Sequence, residues 1–223
     1  MFKINNLSVD LADTSVLRNI NVEFPKASTI GVVGHNGAGK TTLLRTIMGL
    51  TTIKNGDVSL DGNLLSEKEA HQRAFLKIGY APENRVIFPT LSVEENLRLP
   101  CEIQDYSRAE TNSKLEEVLE VIPQLKPLLE RSGSALSGGQ GKMVALGRAV
   151  MIGERLLLLD EPFQGLAPKL GFEYTEALSR LKQIRADLTV VITESNIKLL
   201  SGIPDQYWQI ERGNITKLQE KYI

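Results

Sequence analysis

The 223-residue sequence holds a single cysteine, Cys101, which excludes an intrachain disulfide and any cysteine metal cluster. One thiol fits a reducing compartment, and Cys101 reads as a small packing or surface residue. Long apolar runs are missing too: no stretch approaches the roughly 18 residues that a bilayer-spanning helix needs. The N-terminal Met-Phe-Lys-Ile-Asn-Asn-Leu alternates like a strand and lacks the apolar centre of a signal peptide. The expectation is a cytosolic chain that meets a membrane only through a partner. Neither sign of charge dominates, since 26 Lys and Arg stand against 27 Asp and Glu for a net charge of -1. Composition therefore lends no support to nucleic-acid binding. Internal repeats, low-complexity tracts and Pro/Gly-rich linkers are also lacking.

What is there is the composition of a soluble globular protein, 42% hydrophobic and 24% charged. The length suits one large α/β domain, or a core with a sub-domain. Strand-like runs stand at Phe2–Val9, Ile20–Phe24, Thr29–Val33, Asp57–Leu60, Ile78–Ala81, Leu156–Asp160, Leu188–Thr193 and Gln206–Glu211. Helical patterns fall at Lys40–Met48, Pro168–Ile184 and Asn196–Ser201. The stretch from about Ser92 to Val150 reads mostly helical, with Ser92–Arg98, Arg108–Val121 and Gly138–Met151 as candidates. Thr29–Val33 and the wholly apolar Leu156–Leu159 suit strands buried on both faces of a parallel sheet. A core sheet interrupted by a helical insert is the expected architecture.

The run "VVGHNGAGKTTLL" contains Gly34-His35-Asn36-Gly37-Ala38-Gly39-Lys40-Thr41, which satisfies G-x-x-x-x-G-K-[ST]. It follows an apolar strand and opens a helix, the context the motif requires. Glycines let the backbone wrap with its N–H groups turned toward phosphate oxygens, and the helix N-terminus adds partial positive charge. Lys40 supplies a full charge for the β- and γ-phosphates, and Thr41 a hydroxyl for Mg²⁺. Gly34 through Thr42 are the expected phosphate cradle. His35 occupies an unconstrained position and serves as a loop residue, while His71 lies in a polar run that reads as a solvated helix face.

"RLLLLDEP" places Asp160 and Glu161 just past a buried strand. Ligands gather at the carboxyl ends of strands in open α/β sheets. Asp160 can hold Mg²⁺ there, and Glu161 can polarise an attacking water. A second glycine-rich stretch, "ALSGGQGKM", puts Ser137, Gly138, Gly139 and Gln140 before a helical run, a second anion-facing helix N-terminus that Ser137 is also suited to cap. One bound nucleotide does not need both loops.

Leu136-Ser137-Gly138-Gly139-Gln140 resembles the signature of the ATP-binding cassette (ABC) ATPases. Phosphate loop, signature and Asp-Glu strand end follow in the order of that family, over nearly the whole chain. The resemblance implies an α/β fold: a P-loop NTPase core of mixed sheet and flanking helices, an antiparallel N-terminal β region and an inserted helical sub-domain. It places the nucleotide-binding core at residues 1–83 and 151–223 and the sub-domain at 84–150. It implies ATP and Mg²⁺ as ligands, and a head-to-tail dimer in which each signature loop closes over the other copy's ATP. Within the family, "APENRVIFPTLSVEENL", "LSGGQGKMVALGRAVM" and "LLLLDEPFQGLAP" look like the ATPases of branched-chain amino acid and urea/amide importers. Implied partners are transmembrane permease subunits, a second copy or a related ATPase, and a substrate-binding protein, at the cytoplasmic face of the plasma (inner) membrane.

Four positions depart from the common family pattern. Glu83 follows Tyr80-Ala81-Pro82 where glutamine is usual; a carboxylate still holds Mg²⁺ or water but donates no hydrogen bond. Leu11 stands at the position of an adenine-stacking aromatic, which leaves an apolar contact without stacking. Ser195 replaces a switch histidine at the γ-phosphate and cannot titrate near neutral pH. Ala167 stands where aspartate contacts the other subunit. The expectation is a working but slow ATPase. Competing readings are an ABC ATPase acting on DNA or ribosomes, which usually carries coiled-coil insertions or tandem cassettes, and a nucleotide-dependent switch with little hydrolysis. A GTPase would need a guanine-reading Asn/Thr-Lys-x-Asp stretch, and a small-molecule kinase leaves the second loop unexplained.

Overall fold

Residues 1–84 and 87–219 are described by a computed structural model; Arg85 and Val86 of the quoted stretch, and the last four residues of the core segment, lie outside them. The first half of the chain runs β1 (Phe2–Leu11), β2 (Thr14–Phe24), β3 (Thr29–Val33), α1 (Lys40–Ile47), β4 (Asn55–Leu60), β5 (Asn63–Leu64), α2 (Ala70–Ala74), β6 (Ile78–Ala81) and α3 (Val93–Ile103). The second half runs α4 (Arg108–Val121), α5 (Gly138–Ile152), β7 (Leu156–Asp160), α6 (Pro168–Ile184), β8 (Thr189–Glu194), β9 (Gln206–Glu211) and β10 (Asn214–Lys217).

An antiparallel sheet forms first, in the order β2-β1-β4-β5. Its hairpin turns through Ala12 and Asp13, both at positive φ, a turn whose twist matches the strands. The strand expected at Ile20–Phe24 in fact starts at Thr14. Asn19 at φ 48 and a register shift between the Leu7–Ile20 and Val9–Leu17 pairs interrupt the alternation, so a period-two reading sees only the last part.

The second sheet has the order β10-β9-β3-β8-β7-β6. β9, β3, β8, β7 and β6 run parallel, and β10 pairs antiparallel with β9. Strands β3, β7 and β8 are buried along their whole length. Period two then divides their side chains between two cores. Leu156, Leu158, Ile30, Val32 and Val191 pack with α1 and the antiparallel sheet. Leu157, Leu159, Val190 and Ile192 pack with residues of α3, α4, α5 and α6, including Leu97, Val118, Val144 and Leu181. Cys101 is buried in this second core.

Serines start the helices of the insert. Ser92, Ser107 and Ser137 each cap one, with Glu95, Glu110 and Gln140 closing the capping boxes. α3 runs on past the expected Arg98 to Ile103 and contains Pro100. The helix expected at Asn196–Ser201 is a 3-10 turn over Ile197–Leu200. Elements β5, α2 and β10 are too short for a periodicity to reveal. Among the described residues no helix is long and apolar enough to cross a membrane.

Candidate active site

Strand order brings the chemistry together. β8 lies between β3 and β7, with Val33 opposite Glu194 and Asp160 opposite Thr193. The phosphate loop leaves β3, the acidic pair ends β7, and Glu194 and Ser195 lie between them. β6 borders β7 on its other side, so Glu83 leaves the sheet next to the acidic pair.

Gly37 and Gly39 adopt φ 81 and 111, in the left-handed region that favours glycine. A Cβ at Gly34 would come 2.3 Å from the Ile210 carbonyl oxygen, so the loop also needs glycine for close backbone approach. α1 starts at Lys40 with no side-chain cap, which leaves its first N–H groups for an anion. His35, Asn36 and Gly37 are exposed, while Ala38, Thr41 and Thr42 are half-buried.

Lys40 is buried and folds back over its own loop. Its Nζ donates to the carbonyl oxygens of Gly34 (2.6 Å) and His35 (3.0 Å) and pairs with Glu161 Oε1 at 3.0 Å. Glu161 is buried at φ 45, and its other oxygen has no hydrogen-bond partner among the described residues. Asp160 Oδ1 accepts from Thr193 Oγ1 at 2.7 Å, and Tyr80 OH lies 3.5 Å from Oδ2. Burial pushes the Asp160 carboxyl above its ordinary value, against hydrogen bonds from Thr193 and Thr41 that lower it. Tyr80 is driven upward as well, by burial first and the Asp160 charge second.

Two groups here went unnoticed in the sequence. Glu194 is fully buried; its Oε1 accepts from the Phe163 N–H at 2.8 Å, and Oε2 has no hydrogen-bond partner among the described residues. Burial pushes its carboxyl up to about 7. Lys142, on α5, donates to the carbonyl oxygens of Glu161 (2.7 Å) and Gln164 (2.8 Å). Burial lowers its pKa, while the charges of Glu194, Glu83, Glu161 and Asp160 oppose that shift. The available signals were a charge ending the apolar run "LTVVITE" and a lysine early in a helix.

Ser195 is half-buried and lines a hollow with Gly34 and His35. Glu83 is half-buried in the loop after β6. Leu11 is 44% exposed near the hairpin turn. The hairpin atoms nearest a Cβ built on Gly39 belong to Leu17 and Val16 rather than Leu11. Ser137 and Gly138 are exposed at the start of α5, with Ser137 Oγ accepting from Gln140 N (3.3 Å) and Gln140 Oε1 from Ser137 N (3.0 Å). Gly139 is there for packing, since a Cβ would come 2.3 Å from Leu170 Cδ1. Ala167 precedes Pro168 as an N-cap with no side-chain bond.

Among the described residues no group of three or more His, Cys, Asp or Glu could hold a metal ion. The Thr41 hydroxyl, which helps to lower the Asp160 carboxyl, and the Asp160 carboxylate itself offer hard oxygen donors. Such a sparse set suits Mg²⁺, which keeps waters and takes phosphate oxygens rather than an all-protein cage.

Residues 17–164 match the family described as ABC transporter. The chain is 31% identical over 218 residues to a probable branched-chain amino acid transport ATP-binding protein, LivF, of Archaeoglobus fulgidus, covering 96% of this chain and 90% of that one. It is 33% identical over 215 residues to the high-affinity branched-chain amino acid transport ATP-binding protein BraG of Pseudomonas aeruginosa, covering 96% and 91%. A solved ATP-binding subunit of an ABC transporter matches with a TM-score of 0.85 at 25% identity, over 100% of this chain and 91% of that one. A dimeric bacterial ABC transporter cassette matches in fold with a TM-score of 0.84 at 23% identity, over 98% and 99%.

Proposed function

The chain belongs to the ABC transporter family as an ATP-binding, ATP-hydrolysing subunit, and from that premise we propose how its residues do the work and what they power. The observation that carries the proposal is the meeting of Lys40, Glu161, Asp160 and Thr193 at adjoining strand ends, with a second glycine-rich helix start exposed on the surface.

In this reading the phosphates of ATP take over the Lys40 ammonium from the Gly34 and His35 carbonyls, and the N–H groups of the loop surround them. Thr41 and Asp160 would hold Mg²⁺, with the Glu83 carboxylate as a further oxygen donor, and the ion would supply positive charge against the phosphate oxygens. Glu161, freed from Lys40, orients or deprotonates the attacking water, and Ser195 donates one neutral hydrogen bond to the γ-phosphate. Residues Ser137, Gly138, Gly139 and Gln140 serve the ATP of another copy, or of a related ATPase, in a head-to-tail dimer.

The work is import, and the names of the two relatives support branched-chain amino acids as cargo, with urea or amides as the neighbouring class. A switch uncoupled from transport is not favoured, since both relatives are transport ATP-binding proteins. Permease subunits hold the chain at the cytoplasmic face of the membrane, with a substrate-binding protein in the assembly and residues 84–150 as the sub-domain that meets them.

Glu161→Gln tests the composite site. Turnover should fall by about 100-fold or more, while ATP stays bound and bridges two chains. Size-exclusion chromatography with ATP should then show a dimer, and Lys40→Ala should remove ATP binding. A monomer at saturating ATP, with binding verified, overturns the dimeric site.

A further inference from the structure

α5 reaches three places at once. Its exposed N-terminus carries Ser137 and Gly138, and its middle lines an apolar groove through Ala145, Arg148 and Ala149. Between them Lys142 crosses to the loop after β7 and donates to the main chain at Glu161 and Gln164.

This contact is built against resistance. Lys142 lies early in α5, where the helix dipole disfavours a positive charge. Its ammonium is half-buried, and desolvation must be offset by the hydrogen bonds it makes. Both acceptors are main-chain carbonyls, so the bonds fix backbone rather than another mobile side chain. One of them belongs to Glu161, whose φ of 45 is a strained conformation for a glutamate unless its surroundings impose it. The acids around this ammonium come from every neighbouring element: Glu194 from β8, Glu83 from the loop after β6, and Asp160 and Glu161 from the end of β7.

We propose that Lys142 is a positioning residue for hydrolysis: its bonds to Glu161 and Gln164 hold the Glu161 backbone in its left-handed conformation and aim the carboxylate. The proposal rests on the ATPase reading above. It makes the aim of Glu161 depend on the placement of α5, the helix that also carries Ser137 and lines the groove. Misplacing a catalytic group by about 1 Å costs on the order of 100-fold in rate, so loss of these bonds should appear in turnover rather than in ATP binding.

The test is steady-state hydrolysis by the full chain and by Lys142→Met and Lys142→Arg, each with its melting temperature. Expected is a kcat lower by about tenfold to 100-fold for Lys142→Met, a KM for ATP within about threefold of the unsubstituted chain, and recovery of most of the kcat in Lys142→Arg, which restores cationic donors. ATP-driven dimerisation of Glu161→Gln should survive addition of Lys142→Met. An unchanged kcat, or a raised KM at unchanged kcat, overturns the proposal. If Lys142→Met does not fold, Lys142→Gln is read the same way, and a folded Gln variant with full kcat overturns it. Hydrolysis by the unsubstituted chain that persists in Lys40→Ala would overturn the ATPase reading itself, and this proposal with it.

Discussion

Glu194 carries a carboxylate into the interior, where Glu161 and Lys142 are the charges it feels most. Its folded value of about 7 stands above the ordinary 4.5. Between those values the folded chain keeps a proton that the unfolded chain has released. The stabilisation is therefore complete below about 4.5 and is lost as pH rises through about 7. Glu194→Gln keeps an oxygen for the Phe163 N–H and removes the titration. We expect its free energy of unfolding, read from urea melts, to change less than that of the unsubstituted chain between pH 5 and pH 8, by a difference on the order of a few kcal/mol. Parallel pH profiles for the two proteins would show that Glu194 does not titrate there. The same residue shows where a sequence stops being legible. The spacing of Lys40, Thr41, Asp160 and Glu161 encodes their chemistry directly. Glu194 and Lys142 matter because strand order and helix packing bury them, and no local pattern carries that information.

At the scale of elements, legibility followed the length and regularity of the pattern. β3 and β7 are short apolar runs with turn residues at their ends, and both were read with their observed bounds. β2 was read only in part, because a bulge puts Leu17 and Ile20 on the same buried side three residues apart. The fit between elements was not legible at all. β6 and α5 approach so closely that a Cβ on Gly79 would lie 2.1 Å from the Ala149 carbonyl oxygen and 3.0 Å from Gly153 Cα. Both neighbours are backbone and cannot rotate aside. Gly79→Ala should therefore cost about 1–3 kcal/mol or more as overpacking. A urea melt should show a lower midpoint at unchanged slope, and an unchanged midpoint would mean that the two elements separate without penalty.

For the molecule as a whole, the apolar groove between the sheet and the insert is where the two halves of the chain face outward together. Phe75, 55% exposed, and Ile103, 66% exposed, form its rim with Pro82, Pro100 and Ile152. Phe88 is 43% exposed, but its ring lies 5.2 Å from the Arg148 guanidinium and so is partly engaged by its own chain. α2 links this groove to the end of α1. His71 and Ala74 line the groove, and between them Arg73 turns inward, buried, to donate to the Thr46 (2.7 Å) and Ile47 (2.8 Å) carbonyls that end α1. Arg73 thus ties the groove wall to the end of the helix that begins at Lys40. Exposed apolar side chains beside a concavity mark an interaction site, and a permease helix is the occupant that the proposed function requires. Phe75→Ser with Ile103→Ser should weaken copurification with a co-expressed permease by about 10- to 100-fold in affinity, as expected when two interface anchors are lost. The melting temperature should hold, because neither side chain is buried. Cross-links from positions 75 and 103 should reach the permease; cross-links confined to the opposite face, at β2 or β10, would place the docking surface elsewhere.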